Sequence, residues 1–309
     1  MKRIWTAALT AVLCTQTALA KNVVLTNDDG LTSNVKALYE ELKAQGHDVI
    51  VSVPCTGQSG MGAAVKFMRP LGPLAADCLN GAAKAGDPGA GRMTRAGFGA
   101  DWHYVDGTPV MATLYGIDVL ANARWGKAPD LVLSGPNEGQ NVGHIVISSG
   151  TVSNVQYAAV RGIPAIALSA GMGTVDNATL ANPASKLVAG LTTTLLTALE
   201  RGEKGGRMVP RGIKLNVNFP DKLEGASWVM TQIGSYDVYD ATFVTNLDRS
   251  GLPGVAIGPA TKKPTPDQKN DESVAIQHAI TVSAMQIGYE APATQRKAVG
   301  KVHKDLIGR

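Results

Sequence analysis

Aromatic side chains make up only 5% of this 309-residue chain. So sparse a supply disfavours a surface on which nucleic-acid bases stack. Five histidines (His47, His103, His144, His278 and His303) are scattered, and the cysteines lie far apart. No cluster therefore has zinc-ligand spacing. No G-x-G-x-x-G follows the first apolar strand, which disfavours a dinucleotide cofactor. The phosphate loop G-x-x-x-x-G-K-[ST] and the nucleophile elbow G-x-S-x-G are also missing. No internal repeat is visible, and no apolar run is long enough to cross a bilayer.

The first twenty residues read as an export signal. "MKRIW" supplies Lys2 and Arg3, "TAALTAVLC" is apolar but short, and "TALA" ends on small residues, so cleavage is expected after Ala20. The expected destination is the periplasm or the outside of the cell. Losing Lys2 and Arg3 lowers the formal charge of +4 by two, a balance that selects no charged partner. The basic tail "RKAVGKVHKDLIGR" reads as a solvated terminus, with no nucleic-acid polymer and no membrane as partner after cleavage. In an oxidising compartment Cys55 and Cys78 either pair as a disulfide or remain as thiols without a role.

Along residues 21–225 strand and helix alternate. "NVVLTN" is a first strand, and "NVKALYEELKAQG" a helix with Val35, Leu38 and Leu42 on one face. "HDVIVSVP" is the second strand, completing a βαβ unit with parallel strands. Residues 55–100 are glycine-rich and read as an excursion over the carboxyl edge of the sheet. "WHYVDGTPV", "APDLVLSG", "IPAIALSA" and "GIKLNVNFP" are further strands. Helices are expected from Pro109, from Gly150 and from Asn182. The expected class is α/β, a Rossmann-like three-layer parallel sheet with helices on both faces. From residue 226 the alternation weakens. Residues 226–309 are expected to form a smaller β-rich appendage for oligomer contacts, ending in the basic tail.

Ligands of open α/β sheets bind outside the carboxyl ends of the strands. "TNDDG", "GQSG" and "SGPNEGQN" fall at three such ends and should converge. Asp28 and Asp29 are adjacent hard oxygen donors that repel each other, and a divalent cation such as Mg²⁺ or Mn²⁺ would offset that repulsion. The plain alternative is a helix cap, but a cap needs a single residue, and Thr32 or Ser33 could serve. "SSGTVSNVQYAAV" combines hydroxyls, a glycine and a helix N-terminus, the makings of a phosphate cradle or of an ordinary cap by Ser149 or Thr151. His144 is the one histidine among these candidate residues.

Together, "VVLTNDDG", "VSVPCTGQSGMG", "DGTP", "PDLVLSGPNEGQNVG", "SSGTV", "RGIPAIALS" and "LNVNFP" resemble the SurE family of phosphatases, in order and over roughly residues 21–291. The resemblance implies a divalent-metal-dependent phosphomonoesterase acting on nucleoside 5′- and 3′-monophosphates, assembled as a homodimer or homotetramer with exchanged C-terminal elements. It implies metal ligands at Asp28, Asp29, Ser59 and Asn137, and phosphate-binding groups at Asn141, Ser149, Gly150 and Thr151. Asp271 matches an acidic residue that precedes the family's last strand. Pro136, Ser148 and Ile145 depart from the family pattern and bear on substrate preference. In the expected mechanism Asp28 or Asp29 orients a water or accepts its proton. The rivals are a broad acid phosphatase acting on non-nucleotide esters and an exported metal- or phosphate-binding protein without catalysis.

Overall fold

The computed structural model describes residues 20–176, 178–202 and 207–302. Apart from Ala20, the expected export signal lies outside the described residues, as does the end of the basic tail. The chain enters at β1, Asn22–Thr26, and continues through α1, Ser33–Ala44, to β2, Asp48–Pro54. The apolar run of β1 is fully buried, as in a strand covered on both faces. α1 begins at Thr32, whose hydroxyl accepts from the Val35 N–H at 3.3 Å.

The excursion after β2 adds one short strand, β3, Ala90–Arg92, antiparallel to β4, Trp102–Val105. A Cys55–Cys78 disulfide ties the first half of this excursion to the end of β2. The helix that starts at Pro109 is built in three pieces. These are α2, Pro109–Leu114, a π-helical stretch at Tyr115–Ala121, and α3, Asn122–Trp125. β5, Leu131–Glu138, runs beyond the expected end at Gly135, with its register shifting between Ser134 and Asn137. That bulge accommodates Pro136 inside a central strand, where a regular ladder would need its missing N–H. α4, Gly150–Val160, β6, Ala165–Ala170, α5, Pro183–Arg201, and β7, Ile213–Asn218, complete the alternation.

After these come β8, Ser227–Thr231, β9, Tyr239–Val244, β10, Gly254–Pro259, α6, Glu272–Ala275, β11, Ala279–Gln286, and α7, Ala293–Val302. The nine-stranded sheet has the order β3-β4-β2-β1-β5-β6-β7-β11-β8, parallel from β4 to β7. β8 and β11, expected in the appendage, extend this main sheet, and among the described residues only the hairpin β9–β10 forms a separate sheet. Burial is the physical reason: Ile280 and Val282 of β11 join the same apolar core as Leu215 and Val217 of β7.

Alternate side chains of each strand serve opposite layers. Val23 and Leu25 pack with Leu38 and Leu42 of α1 and Val188 of α5, while Val24 packs with Ile117, Val152 and Val155 on the other face. From β1 the sheet grows through β2 on one side, and from β5 through β6 on the other. The crevice outside the carboxyl ends of β1 and β5 is therefore the topological switch point, the usual place for a ligand. Among the described residues no helix is long and apolar enough to cross a membrane.

The disulfide spans 23 positions. Closing a loop of that length restrains the unfolded chain by about 3 kcal/mol. Reduction, or Cys78→Ser, should lower the thermal midpoint by about 10 °C. Midpoints that match with and without reductant would refute this.

Candidate active site

The turn after β1 is held by its own asparagine. Asn27 Nδ2 donates to Gly30 O at 2.8 Å, and Asn27 Oδ1 accepts from Gly30 N at 3.1 Å. Asn154 of α4 donates to Asn27 O at 3.1 Å and to Ser134 Oγ at 3.0 Å, joining the turn to α4 and β5. The turn buries both carboxylates: Asp28 is 3% exposed and Asp29 8%. Since Thr32 caps α1, neither carboxylate is spent on that cap.

The three segments expected to converge do so. From "GQSG", Gln58 N donates to Asp28 O at 2.8 Å, and the neighbouring Ser59 hydroxyl favours the charged form of Asp29. From β5, Glu138 N donates to Asp29 Oδ2 at 3.0 Å. From α4, Thr151 Oγ1 donates to Asp28 Oδ1 at 2.5 Å. Ser149 is the N-cap of α4 and accepts from Val152 N at 3.1 Å, while the backbone N–H groups of Gly150 and Thr151 face the Asp28 carboxylate. Only glycine fits at 150, because a Cβ there would stand 2.7 Å from both Asp28 Cβ and Pro109 Cγ.

Electrostatics separate the two carboxylates. Burial raises the Asp28 pKa, opposed by the Thr151 hydroxyl and nearby backbone N–H groups. Burial pushes Asp29 well up, and the charges of Asp28 and Glu138 add to this, against hydrogen bonds from Glu138 N and Ser59. Two buried carboxylates side by side favour a shared positive charge over joint ionisation.

The donor set fits a small divalent cation. Asn137 Nδ2 donates to Gly139 O at 2.7 Å, leaving Asn137 Oδ1 buried with no hydrogen-bond partner. An orphaned amide oxygen, two carboxylates and the Ser59 hydroxyl are hard oxygen donors of the kind Mg²⁺ and Mn²⁺ take. Among the described residues no three His, Cys, Asp or Glu side chains gather at one point, so neutral oxygens must complete such a set.

Asn141 is buried. Its Nδ2 donates to Ser169 Oγ at 3.0 Å, and its backbone N donates to Asn218 Oδ1 at 2.8 Å. Asn141 O accepts from Asn216 Nδ2 at 2.8 Å and Asn218 Nδ2 at 3.0 Å. Sequence reasoning assigned no role to Asn154, Asn216 or Asn218. For the last two a signal existed: polar residues two apart in the buried strand "LNVNFP" point to one face. His144 is exposed, and its Nδ1 pairs with Asp237 Oδ2 at 2.6 Å. Ser148 keeps its hydroxyl local, donating to Ile145 O at 3.1 Å. Asp271 accepts from Gln232 Nε2 at 2.8 Å, Ser235 N at 2.8 Å and Tyr236 N at 2.9 Å, and so braces the approach to β9.

A mostly parallel α/β sheet with an acidic, oxygen-rich crevice at its switch point defines a Rossmann-like protein. The family model described as survival protein SurE matches residues 23–239, and the chain belongs to the SurE family. It is 35% identical to a 5′-nucleotidase SurE of Geobacter metallireducens, over 74% of this chain and 77% of that protein. A 5′-nucleotidase SurE of Thermosipho africanus is 29% identical over 86% of this chain and 91% of its own length. An acid phosphatase of Yarrowia lipolytica is 36% identical over 64% of this chain, and the match spans only 56% of that protein. The fold is that of the crystal structure of a SurE protein from Aquifex aeolicus, with a TM-score of 0.65 at 24% identity, covering 91% of this chain and 98% of that one.

Both aspartates bind protons more tightly in the fold than in the unfolded chain. Without a cation, stability should therefore fall as the pH rises above the ordinary carboxylate range. In chelator at neutral pH, Asp29→Asn should raise the thermal midpoint. Mg²⁺ should raise the wild-type midpoint and leave the variant nearly unmoved. A variant destabilised in chelator would contradict this.

Proposed function

We propose that the protein is a phosphomonoester hydrolase that acts on nucleoside monophosphates with a divalent cation, Mg²⁺ or Mn²⁺. One observation carries this reading. Asp28 and Asp29 are buried together at the switch point, against the N-terminus of α4 and beside the unpartnered Asn137 oxygen. The similarity to proteins named 5′-nucleotidase supports it.

Asp28, Asp29, Ser59 and Asn137 would hold the cation, which when bound neutralises phosphoryl charge and lowers the pKa of a water. Asp28 keeps its orientation through Thr151 and the amides of α4. Asp28 or Asp29 would orient the attacking water or accept its proton. The Ser149 hydroxyl spends an acceptor lone pair on Val152 N and keeps its proton for a phosphoryl oxygen. Asn141 Nδ2 gives one hydrogen to Ser169 and keeps a second for the same use. Amides at the α4 N-terminus add dipolar stabilisation, the dominant aid in phosphoryl transfer. Thr151 serves this site by orienting Asp28.

Residues 21–225 would form the catalytic core and 226–309 the oligomerisation segment of a homodimer or homotetramer. Exposed Phe243, Val255 and Ile257 on the β9–β10 hairpin support such an assembly. Export to the periplasm or beyond agrees with the Cys55–Cys78 disulfide. The match to an acid phosphatase favours a second reading, hydrolysis of non-nucleotide esters.

Phosphate release from adenosine monophosphate and from glycerol phosphate, with and without Mg²⁺ or Mn²⁺, tests both readings. Metal-dependent release from the nucleotide is expected, with Asp28→Asn and Asp29→Asn each lowering kcat by about 100-fold or more. Preference for glycerol phosphate would select the second reading. Normal turnover by either variant would remove the aspartates from the mechanism.

A further inference from the structure

Glu272 opens α6 and is fully buried, yet the mechanism above does not use it. Burial pushes its carboxyl up to about 7, against hydrogen bonds from Ser283, Asn216 and Gly143. Such a group is costly to bury where an apolar side chain would serve for packing alone. Its contacts suggest what it does there. Glu272 Oε1 accepts from Gly143 N at 3.1 Å and Asn216 Nδ2 at 3.2 Å, while Oε2 accepts from Asn216 Nδ2 at 3.1 Å and Ser283 Oγ at 2.8 Å.

Beside the like charge of Asp271, the carboxylate accepts hydrogen bonds from three places: the loop after β5, β7 and β11. Asn216 Nδ2, oriented by the carboxylate, also donates to Asn141 O. At Gly143 the loop is packed without slack, since a Cβ would stand 2.6 Å from Asp237 Oδ1 and 2.8 Å from Ser273 Oγ. From Gly143 a 3₁₀ turn leads to Ile147 and on to the Ser149 cap of α4.

We infer that Glu272 is a positioning residue for Asn141–Gly143: its carboxylate anchors the loop that carries the phosphate-binding groups to β7 and β11 without touching substrate. The inference rests on the hydrolase reading for its kinetic consequence, but not for its structural one.

Glu272→Gln keeps the shape and turns one acceptor oxygen into a donor that faces another donor. The expected result is a rise of about 10-fold in KM and in the inhibition constant of inorganic phosphate, with kcat changed by less than about 3-fold. Hydrogen exchange at the Gly143 amide should quicken. Unchanged KM, phosphate inhibition and Gly143 exchange, with only a lower thermal midpoint, would reduce Glu272 to packing and overturn the inference. If Glu272→Gln does not fold, Ser283→Ala is read in the same assays. Quicker Gly143 exchange with weaker phosphate inhibition sustains the inference, and unchanged values overturn it. Wild-type protein that releases no phosphate from any ester would defeat the hydrolase reading. Calorimetric binding of inorganic phosphate and Gly143 exchange would then still test Glu272.

Discussion

Two adjacent carboxylates buried at the end of β1 set demands that much of the surrounding chain meets. Burial and mutual repulsion both disfavour their charge. Asn27 makes the turn rigid, so the pair cannot swing out into water. Thr32 takes over the cap of α1 and leaves the carboxylates free. α4 then presents its positive end and the Thr151 hydroxyl to Asp28. Asp29, with fewer donors, is left as the group most in need of a positive charge or a proton.

The sheet supplies the coordinates of this arrangement. β1 and β5 are neighbours whose chains depart in opposite directions, which opens a crevice at their carboxyl ends. The bulge in β5 lets Asn137 and Glu138 resume pairing with β6 after Pro136. Glu138 N thereby comes to Asp29, and the Asn137 amide oxygen is left unpartnered. The disulfide holds the excursion that carries Ser59 to the end of β2, beside the same crevice.

A second layer of polar side chains supports the first. Asn154, Asn216 and Asn218 are fully buried, and each spends its amide on the backbone of a site loop. Glu272 brings the C-terminal elements into this layer through Gly143, while Asp271 fixes the approach to β9 within those elements. The C-terminal third is therefore wired to the site through hydrogen bonds, although its sequence lacks the regular alternation of the rest.

The alternation of strands and helices, the buried faces of α1 and β1 and the acidic turn were legible in the sequence. Local rules govern them: apolar periodicity, capping residues and glycine stops. The same rules identified Ser149 and Thr151 as hydroxyls at a helix start, without saying which one would cap and which would face Asp28. The tertiary structure decided that division, along with the pairing of Cys55 with Cys78, the capture of β8 and β11 by the main sheet and the place of Glu272. Each depends on contacts between distant parts of the chain, as with Glu138 and Asp29, 109 positions apart. A strand's own pattern states which face is apolar but not which neighbour will cover it, and a buried carboxylate in a short helix looks like any surface acid until its donors are assembled around it.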